Sequence, residues 1–188
     1  MIKANEVLDA KGLACPMPIV KTKKVMGDLE PGHVLEIQAT DKGSTADLKA
    51  WAERIGHQYL GTVEEGDVLK HYVRKAGSDD GEQETKHPHV INNDDLASKA
   101  EEGSLVLVDV REEAEYRFNH IPGAVSIPLG ELDTRMGELN KDDEIHVVCR
   151  TGNRSDLAAQ KLTEQGFTNV INVVPGMSEW SGKTEKSV

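Results

Sequence analysis

Two cysteines are the residues of this chain best suited to covalent chemistry. Cys149 directly follows the apolar run 145–148 and opens the segment Cys-Arg-Thr-Gly-Asn-Arg-Ser, residues 149–155. A cysteine at the carboxyl end of a predicted parallel strand is expected at the edge where α/β folds place their sites. Loop amides, the start of the next helix and two arginines each favour the thiolate over the thiol there. The pattern therefore predicts a nucleophilic cysteine.

We expect the loop after Cys149 to bind substrate. A glycine lets its backbone turn tightly, and two arginines add permanent positive charge. The predicted substrate-binding residues are Arg150, Thr151, Gly152, Asn153, Arg154 and Ser155, and Ser155 is predicted to open the next helix. The alternative is an inert buried cysteine beside an ordinary arginine-rich turn. Two arginines converging on one loop of an acidic domain disfavour that alternative.

Cys15 lies at the predicted start of a helix, in the segment Leu-Asp-Ala-Lys-Gly-Leu-Ala-Cys-Pro-Met-Pro of residues 8–18. The helix macrodipole favours a thiolate at this position. Because Pro16 and Pro18 lack N–H groups, activation is expected to be milder than at Cys149. From the residues alone, a plain helix cap or a core cysteine is an equally good interpretation. A disulfide between the two cysteines is disfavoured in a reducing compartment.

Composition limits the class of protein. Hydrophobic residues make up 37% of the 188 residues, and no apolar run approaches the roughly 18–20 residues of a membrane span. The first nine residues lack the apolar stretch of a signal peptide, so we expect a cytoplasmic protein with no membrane partner. The net charge of −11 disfavours stable nucleic-acid binding.

No metal or cofactor is expected. The pair His87 and His89 has no third ligand near it in sequence, and the two cysteines do not have zinc spacing. No phosphate-binding glycine loop, flavin motif or nicotinamide motif is present in the sequence.

The segment of residues 76–87 divides the chain. It is rich in glycine, serine and acidic residues and has no apolar periodicity, which is typical of a flexible linker. The flanking parts differ in charge: residues 1–75 have no net charge, whereas residues 88–188 have a net charge of −8. We predict one domain over residues 1–75, an acidic linker over 76–87, and a second domain over 88–188.

The first domain shows the element order β-α-β-α-β-β. Its predicted strands are 6–9, 33–39, 59–63 and 68–74, and its predicted helices are 16–29 and a second one capped by Ser44 and ended by Gly56. This order predicts a two-layer sandwich with both helices on one face of a small sheet.

The second domain alternates strands and helices. Short apolar runs at 105–109, 125–127, 145–148 and 170–174 predict buried strands, and the segments 112–117, 131–139 and 156–165 predict helices. This alternation predicts an α/β/α domain in which helices cover both faces of a parallel sheet.

The loop of residues 149–155 resembles the active-site loop of rhodanese-type sulfurtransferases. The segments 108–116, 120–128 and 175–180 are similar to other signatures of that family. Asn119 stands where the family often has glycine, and Gly176 stands where two glycines are usual. The resemblance covers about residues 88–182. It implies a rhodanese-like domain that carries sulfur as a persulfide on Cys149.

The segment around Cys15 resembles the Cys-Pro-x-Pro signature of the TusA (SirA-like) sulfur-carrier family. Supporting similarities lie at 39–41, at Trp51 and at 56–57, so the resemblance covers residues 1–75. It implies that Cys15 carries a persulfide and that Pro16 and Pro18 shape its turn. The whole chain resembles bacterial fusions of a TusA-like domain to a rhodanese domain.

These resemblances imply a sulfurtransferase. Cys149 would take sulfane sulfur from a small donor, thiosulfate or a persulfide, and pass it to a thiol or protein acceptor, with Cys15 of the same chain as the candidate. The alternative is a non-catalytic persulfide carrier or sulfur-status adaptor for a partner protein.

Dual-specificity phosphatases resemble rhodaneses in fold and have five residues between their cysteine and arginine. Four residues separate Cys149 from Arg154. The resemblance to rhodaneses implies that this shorter loop suits a sulfane sulfur better than a phosphate. Asp109, Arg111 and His120 are expected to brace the loop rather than to catalyse.

Overall fold

The structure, a computed structural model, describes residues 1–77 and 85–188. It forms two compact units whose boundary falls between residues 78 and 79. Residues 78–84 of the predicted linker lie outside the described residues. At the end of that linker, the backbone N–H groups of Lys86 and His87 donate to the Asp156 carboxylate, and the His87 ring donates to the Val170 carbonyl. Lys86 and His87 therefore pack against the second unit.

The first unit is a four-stranded mixed sheet with two helices. Its elements in chain order are β1 (Glu6–Ala10), α1 (Met17–Asp28), β2 (Val34–Ala39), α2 (Ser44–Ile55), β3 (Gln58–Glu65) and β4 (Val68–Arg74). The sheet order is β1-β2-β4-β3, in which β1 is parallel to β2 and the other neighbours are antiparallel. The predicted β-α-β-α-β-β sandwich is confirmed.

Both helices of the first unit pack on the same face of its sheet. Leu35 and Ile37 lie two residues apart on β2 and therefore point to the same side. They share one apolar cluster with Met26 of α1 and with Leu48 and Trp51 of α2. Burial of these side chains holds the start of each helix close to the carboxyl end of a strand.

The two ends of α2 differ in how well they follow the prediction. Gly56 ends the helix in the left-handed conformation, with φ 84°, as its position predicts. The prediction that Ser44 caps the helix is wrong, because Gly43 occupies the cap position. The Ser44 hydroxyl instead donates to the Asp41 carbonyl, while the Asp41 carboxylate accepts from the Gly43 N–H.

The second unit is a five-stranded parallel sheet with the order β5-β9-β8-β6-β7. Its elements are β5 (Val90–Asn92), α3 (Asn93–Glu101), β6 (Val106–Asp109), α4 (Glu113–Phe118), β7 (Val125–Ser126), α5 (Leu132–Arg135), β8 (Ile145–Val148), α6 (Asn153–Glu164) and β9 (Val170–Val174). The predicted α/β class with a parallel sheet is confirmed.

Helices cover both faces of this sheet. Adjacent residues of its central strands fall into two different apolar clusters: Val108 and Val147 pack with α6, whereas Leu107 and Val148 pack with α3. The sequence of a strand buried on both faces is a nearly continuous apolar run, which explains why β8 could be recognised from the sequence.

Several predicted boundaries need correction. Neither β5 nor α3 was predicted. The three residues of β5 are too few to show a strand period. The predicted helix 131–139 is the short helix α5 flanked by 3₁₀ turns at Leu129–Glu131 and Met136–Glu138. Gly130 and Gly137 in those turns disfavour a longer helix. In contrast, α6 begins at Asn153, three residues before the predicted start.

No helix in the described ranges, 1–77 and 85–188, is long and apolar enough to cross a membrane.

Candidate active sites

Cys149 lies directly after β8 and before α6, at the carboxyl edge of the parallel sheet. Its side chain is fully buried, within the apolar cluster that also contains Val147 and Ala158. The strand and the helix fix the two ends of the loop, so the sulfur has a defined position at the edge where α/β folds place their sites.

Two hydrogen-bonding groups face the Cys149 sulfur. The Gly152 N–H donates to Sγ at 3.1 Å, and the Ser155 hydroxyl oxygen lies 3.3 Å from Sγ. Gly152 reaches this position with φ 96°, a conformation that side-chain-bearing residues rarely adopt. Both groups donate to a thiolate or a persulfide anion, and the start of the twelve-residue helix α6 adds positive potential. The turn can therefore stabilise negative charge on sulfur.

The other predicted loop residues occupy different environments. Arg150 and Thr151 are partly exposed, whereas Asn153 and Arg154 are buried in the first turn of α6. Ser155 also belongs to that helical turn rather than to the loop, which corrects the prediction that it opens the helix. The six predicted residues thus divide into a turn, 150–152, and the first turn of a helix, 153–155.

Arg154 is paired with Glu115 of α4. Its two terminal nitrogens donate to the two carboxylate oxygens at 2.7 Å and 3.0 Å, and both side chains are buried. The same carboxylate accepts from the Glu112 N–H at the start of α4. This bidentate pair joins the first turn of α6 to α4. The Glu115 carboxylate also balances the positive charge of Arg154, which was expected to face the sulfur donor. Sequence reasoning missed Glu115 as the partner.

A segment from the end of β9 backs the loop. The Met177 N–H donates to the Cys149 carbonyl at 2.8 Å, and the Ser178 N–H donates to the Arg150 carbonyl at 2.9 Å. Gly176 lies so close that a Cβ there would be 2.5 Å from the Cys149 carbonyl oxygen. The Asn93 side chain holds Gly176 from the other side, donating to its carbonyl and accepting from its N–H. Asn93 was also missed, although it begins α3 beside a recognisable cap residue.

Asp109 and Arg111 form a buried ion pair, and His120 is a buried, hydrogen-bonded histidine, as predicted. The Arg111 guanidinium donates to both Asp109 carboxylate oxygens and to the Asn119 carbonyl. The buried His120 ring is hydrogen bonded through one nitrogen to the Tyr116 carbonyl and through the other to Glu185. Their hydrogen bonds join α4, its flanking loops and the carboxyl-terminal segment.

Cys15 has an acidic environment. Its side chain is exposed, and its thiol donates to the Asp47 carboxylate at 3.2 Å. This hydrogen bond, followed by desolvation and the charges of Asp47 and Asp41, raises the pKa of the Cys15 thiol above its ordinary value. The carboxylates thus oppose the mild activation that the helix macrodipole was expected to give. The first turn of α1 contains Pro18, and the cap residue is Pro16, so donors are few and the carboxylates prevail.

A buried polar network holds the start of α2, which carries Asp47. His71 of β4 is hydrogen bonded through Nε2 to the Ser44 hydroxyl at 2.9 Å and through Nδ1 to the hydroxyls of Tyr59 and Thr62. The Ser44 proton is donated to the Asp41 carbonyl, so Nε2 carries the histidine proton. Burial lowers the pKa of His71 to about 4, and the ring is neutral at physiological pH. Sequence reasoning assigned His71 no role.

Among residues 1–77 and 85–188, no group of three His, Cys, Asp or Glu side chains is arranged to hold a metal ion.

Comparison with protein families defines the class of both units. A family model described as a rhodanese-like domain matches residues 92–183, and one described as the sulfurtransferase TusA matches residues 6–75. The chain therefore combines a sulfurtransferase domain with a sulfur-carrier domain.

One relative matches the chain from end to end. "Putative sulfur carrier protein YrkF" of Bacillus subtilis is 56% identical over 185 residues, which cover 98% of this chain and 100% of that protein. The chain belongs to the family of proteins that fuse a TusA domain to a rhodanese domain.

Other relatives match one unit each. "Putative sulfur carrier protein YrkI" of Bacillus subtilis is 57% identical over 74 residues, or 39% of this chain and 99% of that protein. The crystal structure of a rhodanese-like domain protein from Staphylococcus aureus superposes with a TM-score of 0.50 at 29% identity, covering 53% of this chain and 99% of that one.

Gly176→Ala should disrupt the Cys149 loop. The added Cβ meets backbone rather than a movable side chain, and the residue has φ 98°. We expect backbone strain alone to lower the free energy of unfolding by about 1–3 kcal/mol. We also expect sulfur transfer to be lost. Urea unfolding and a thiosulfate–cyanide assay measure the two effects.

Gly103→Ala is the matched control for this substitution. Gly103 also has a positive φ, 84°, but a Cβ there would meet nothing within 4 Å. Equal effects of the two substitutions on activity would show that contact with the Cys149 carbonyl has no importance.

Arg154→Ala should reduce activity toward thiosulfate and toward a neutral persulfide donor by the same factor. The guanidinium is committed to Glu115, so its removal disturbs the turn rather than a donor contact. Breaking a buried pair costs about 3–5 kcal/mol, and we expect the unfolding free energy to fall accordingly. Steady-state kinetics with the two donors measure the selectivity.

Arg154→Lys is the control, because it keeps the charge and removes the bidentate geometry. We expect lysine to restore little activity with either donor. A selective loss of thiosulfate activity in the alanine variant, restored by lysine, would instead assign Arg154 to donor binding.

Proposed function

We propose that this chain takes sulfane sulfur from thiosulfate or a persulfide onto Cys149 and passes it to a thiol, with Cys15 of its own carrier domain as the acceptor. The observation that carries the proposal is the Cys149 turn, in which the Gly152 N–H and the Ser155 hydroxyl face a buried sulfur. Preorganised donors of this kind stabilise an anionic covalent intermediate.

The first half-reaction is a displacement on sulfur. The Cys149 thiolate attacks the outer sulfur of thiosulfate and forms a new S–S bond. The S–S bond of thiosulfate breaks, and its electron pair leaves with sulfite. The product is the Cys149 persulfide anion, in which Sγ, the atom that faces the amide and hydroxyl of the turn, is the inner sulfur. Two-step kinetics of the ping-pong form are expected.

In the second half-reaction a thiol takes the outer sulfur. The acceptor sulfur forms a bond to that outer sulfur, and Cys149 leaves as the thiolate with which the cycle began. Cys15 is suited to accept because it is exposed, unlike Cys149. Two domains joined by a short linker reach an effective concentration near millimolar, so transfer within one chain competes well with free acceptors.

The Arg154–Glu115 pair argues against phosphatase activity, because a carboxylate already balances the charge of this guanidinium. A non-catalytic sulfur carrier is the second candidate function. The exposed Cys15 favours it, because a carrier must present its sulfur to a partner protein.

Cys149→Ser should abolish sulfur transfer from thiosulfate to cyanide, and Cys15→Ser should leave most of it. Cyanide is small enough to accept sulfur from Cys149 without the carrier cysteine. The initial rate of thiocyanate formation measures both variants. Equal loss in the two variants would contradict this assignment of roles, and a protein that loads once without turnover would identify a carrier rather than an enzyme.

A further inference from the structure

The carboxylate beside the exposed cysteine has no part in the chemistry described above. Asp47 Oδ2 lies 3.2 Å from Cys15 Sγ and accepts its proton in a hydrogen bond. Asp47 is in the first turn of α2, and Cys15 precedes α1, so the contact joins two elements separated by 32 residues. A thiol is a weak nucleophile compared with its thiolate, so this contact bears directly on how Cys15 accepts sulfur.

The position of Asp47 is fixed by its surroundings. Its backbone N–H donates to the Gly43 carbonyl, and Gly43 is held by the Asp41 carboxylate. Ser44, in the same turn, is tied to the buried ring of His71. The carboxylate is therefore presented to the sulfur by a rigid helix start rather than by a mobile loop.

The loop that precedes Cys15 is also held in place. The Gly12 N–H donates to the Thr40 hydroxyl at 2.9 Å, which ties the loop before Cys15 to the end of β2. Asp41 follows Thr40 directly and contributes a second negative charge near the sulfur. Two carboxylates near one exposed thiol repel small anions, and thiosulfate carries two negative charges.

We propose that Asp47 is a specificity-determining residue that keeps Cys15 in the thiol form and protects it from direct loading by small anionic donors. This inference rests on the proposed function, since it concerns the donors from which Cys15 can accept sulfur.

The transfer step balances without any further reactant. The Cys15 S–H bond breaks, and its proton ends on the outer sulfur of the Cys149 persulfide anion. The Cys15 sulfur then bonds to that outer sulfur, and the S–S bond to Cys149 breaks with its electron pair on Cys149. The products are a protonated persulfide on Cys15 and a thiolate on Cys149, which the Gly152 N–H stabilises. One sulfane sulfur is exchanged and no external oxidant is needed.

The test uses the full chain with Cys149→Ser, in which Cys15 is the one remaining cysteine. Alkylation of Cys15 by neutral iodoacetamide is followed against pH, with and without Asp47→Asn. We expect the midpoint of the alkylation profile to move to lower pH in the Asp47→Asn variant. Asp28→Asn, which removes the same charge at the far end of α1, is the control and should leave the midpoint unchanged.

A separate measurement tests charge selection, the repulsion of anionic reagents by the carboxylates near Cys15. On the high-pH plateau, where Cys15 is a thiolate in both proteins, the rate ratio of iodoacetate to iodoacetamide isolates the repulsion of anions. We expect Asp47→Asn to raise this ratio by up to about fivefold, the factor that one unit charge gives at about 4 Å in water. An unchanged midpoint and an unchanged ratio would overturn the proposal.

If the Asp47→Asn variant does not fold, the repulsion can still be tested in the protein that retains Asp47. Raising the salt concentration from 0.1 M to 1 M shortens the screening length from about 10 Å to about 3 Å. The iodoacetate to iodoacetamide ratio should then rise in the Cys149→Ser protein itself, and a constant ratio would contradict charge selection. None of these measurements involves sulfur transfer, so a failure of transfer between the two cysteines would be seen separately.

Discussion

The chain turns back on itself within three residues after Cys149, and the rest of the second unit is arranged around this turn. The turn brings the Gly152 N–H to 3.1 Å from the sulfur, which requires the positive φ of that glycine. The carbonyls of Cys149 and Arg150 also need donors, and the amides of Met177 and Ser178 supply them. Those amides reach the turn because Gly176 has no side chain. One hydrogen bond to sulfur thus depends on contacts with a distant part of the chain.

The two cysteines differ in ways that follow from their local structure. Both precede a helix, yet at Cys149 an N–H faces the sulfur, whereas at Cys15 the helix begins with prolines and a carboxylate accepts from the sulfur. A helix start is therefore not sufficient to activate a thiol; the groups within hydrogen-bonding distance decide. One site is suited to an anion, and the other is suited to a neutral thiol. This difference gives a physical basis for the proposed entry of sulfur at the buried site and its exit from the exposed one.

Local patterns in the sequence predicted much of the architecture. Apolar runs gave β8 and β9, the glycine after Ile55 gave the end of α2, and the two cysteine segments gave the candidate sites. The start of α6 was placed too late, because polar residues of a first helical turn resemble loop residues. Elements as short as β5 have no period to detect.

The partners of the site residues could not be predicted, because they are distant in sequence. Asp47 lies 32 residues from Cys15, Glu115 lies 39 residues from Arg154, and Asn93 lies 83 residues from Gly176. Arg154 shows the consequence most clearly. Its position in the loop suggests donor binding, and only the fold reveals the carboxylate that balances its charge. Composition and spacing identify which residues carry chemistry, whereas tertiary contacts determine how each one acts.

Transfer of sulfur from Cys149 to Cys15 can be followed directly in a single turnover. Cys149 is loaded with isotopically labelled sulfur, the donor is removed, and each cysteine is monitored by peptide mass spectrometry over time. Our account predicts that label leaves Cys149 and reaches Cys15 at a rate independent of protein concentration at micromolar dilution. A rate that scales with protein concentration would show transfer between molecules. Persistent absence of label on Cys15 would contradict the account, because the two domains would then serve separate partners.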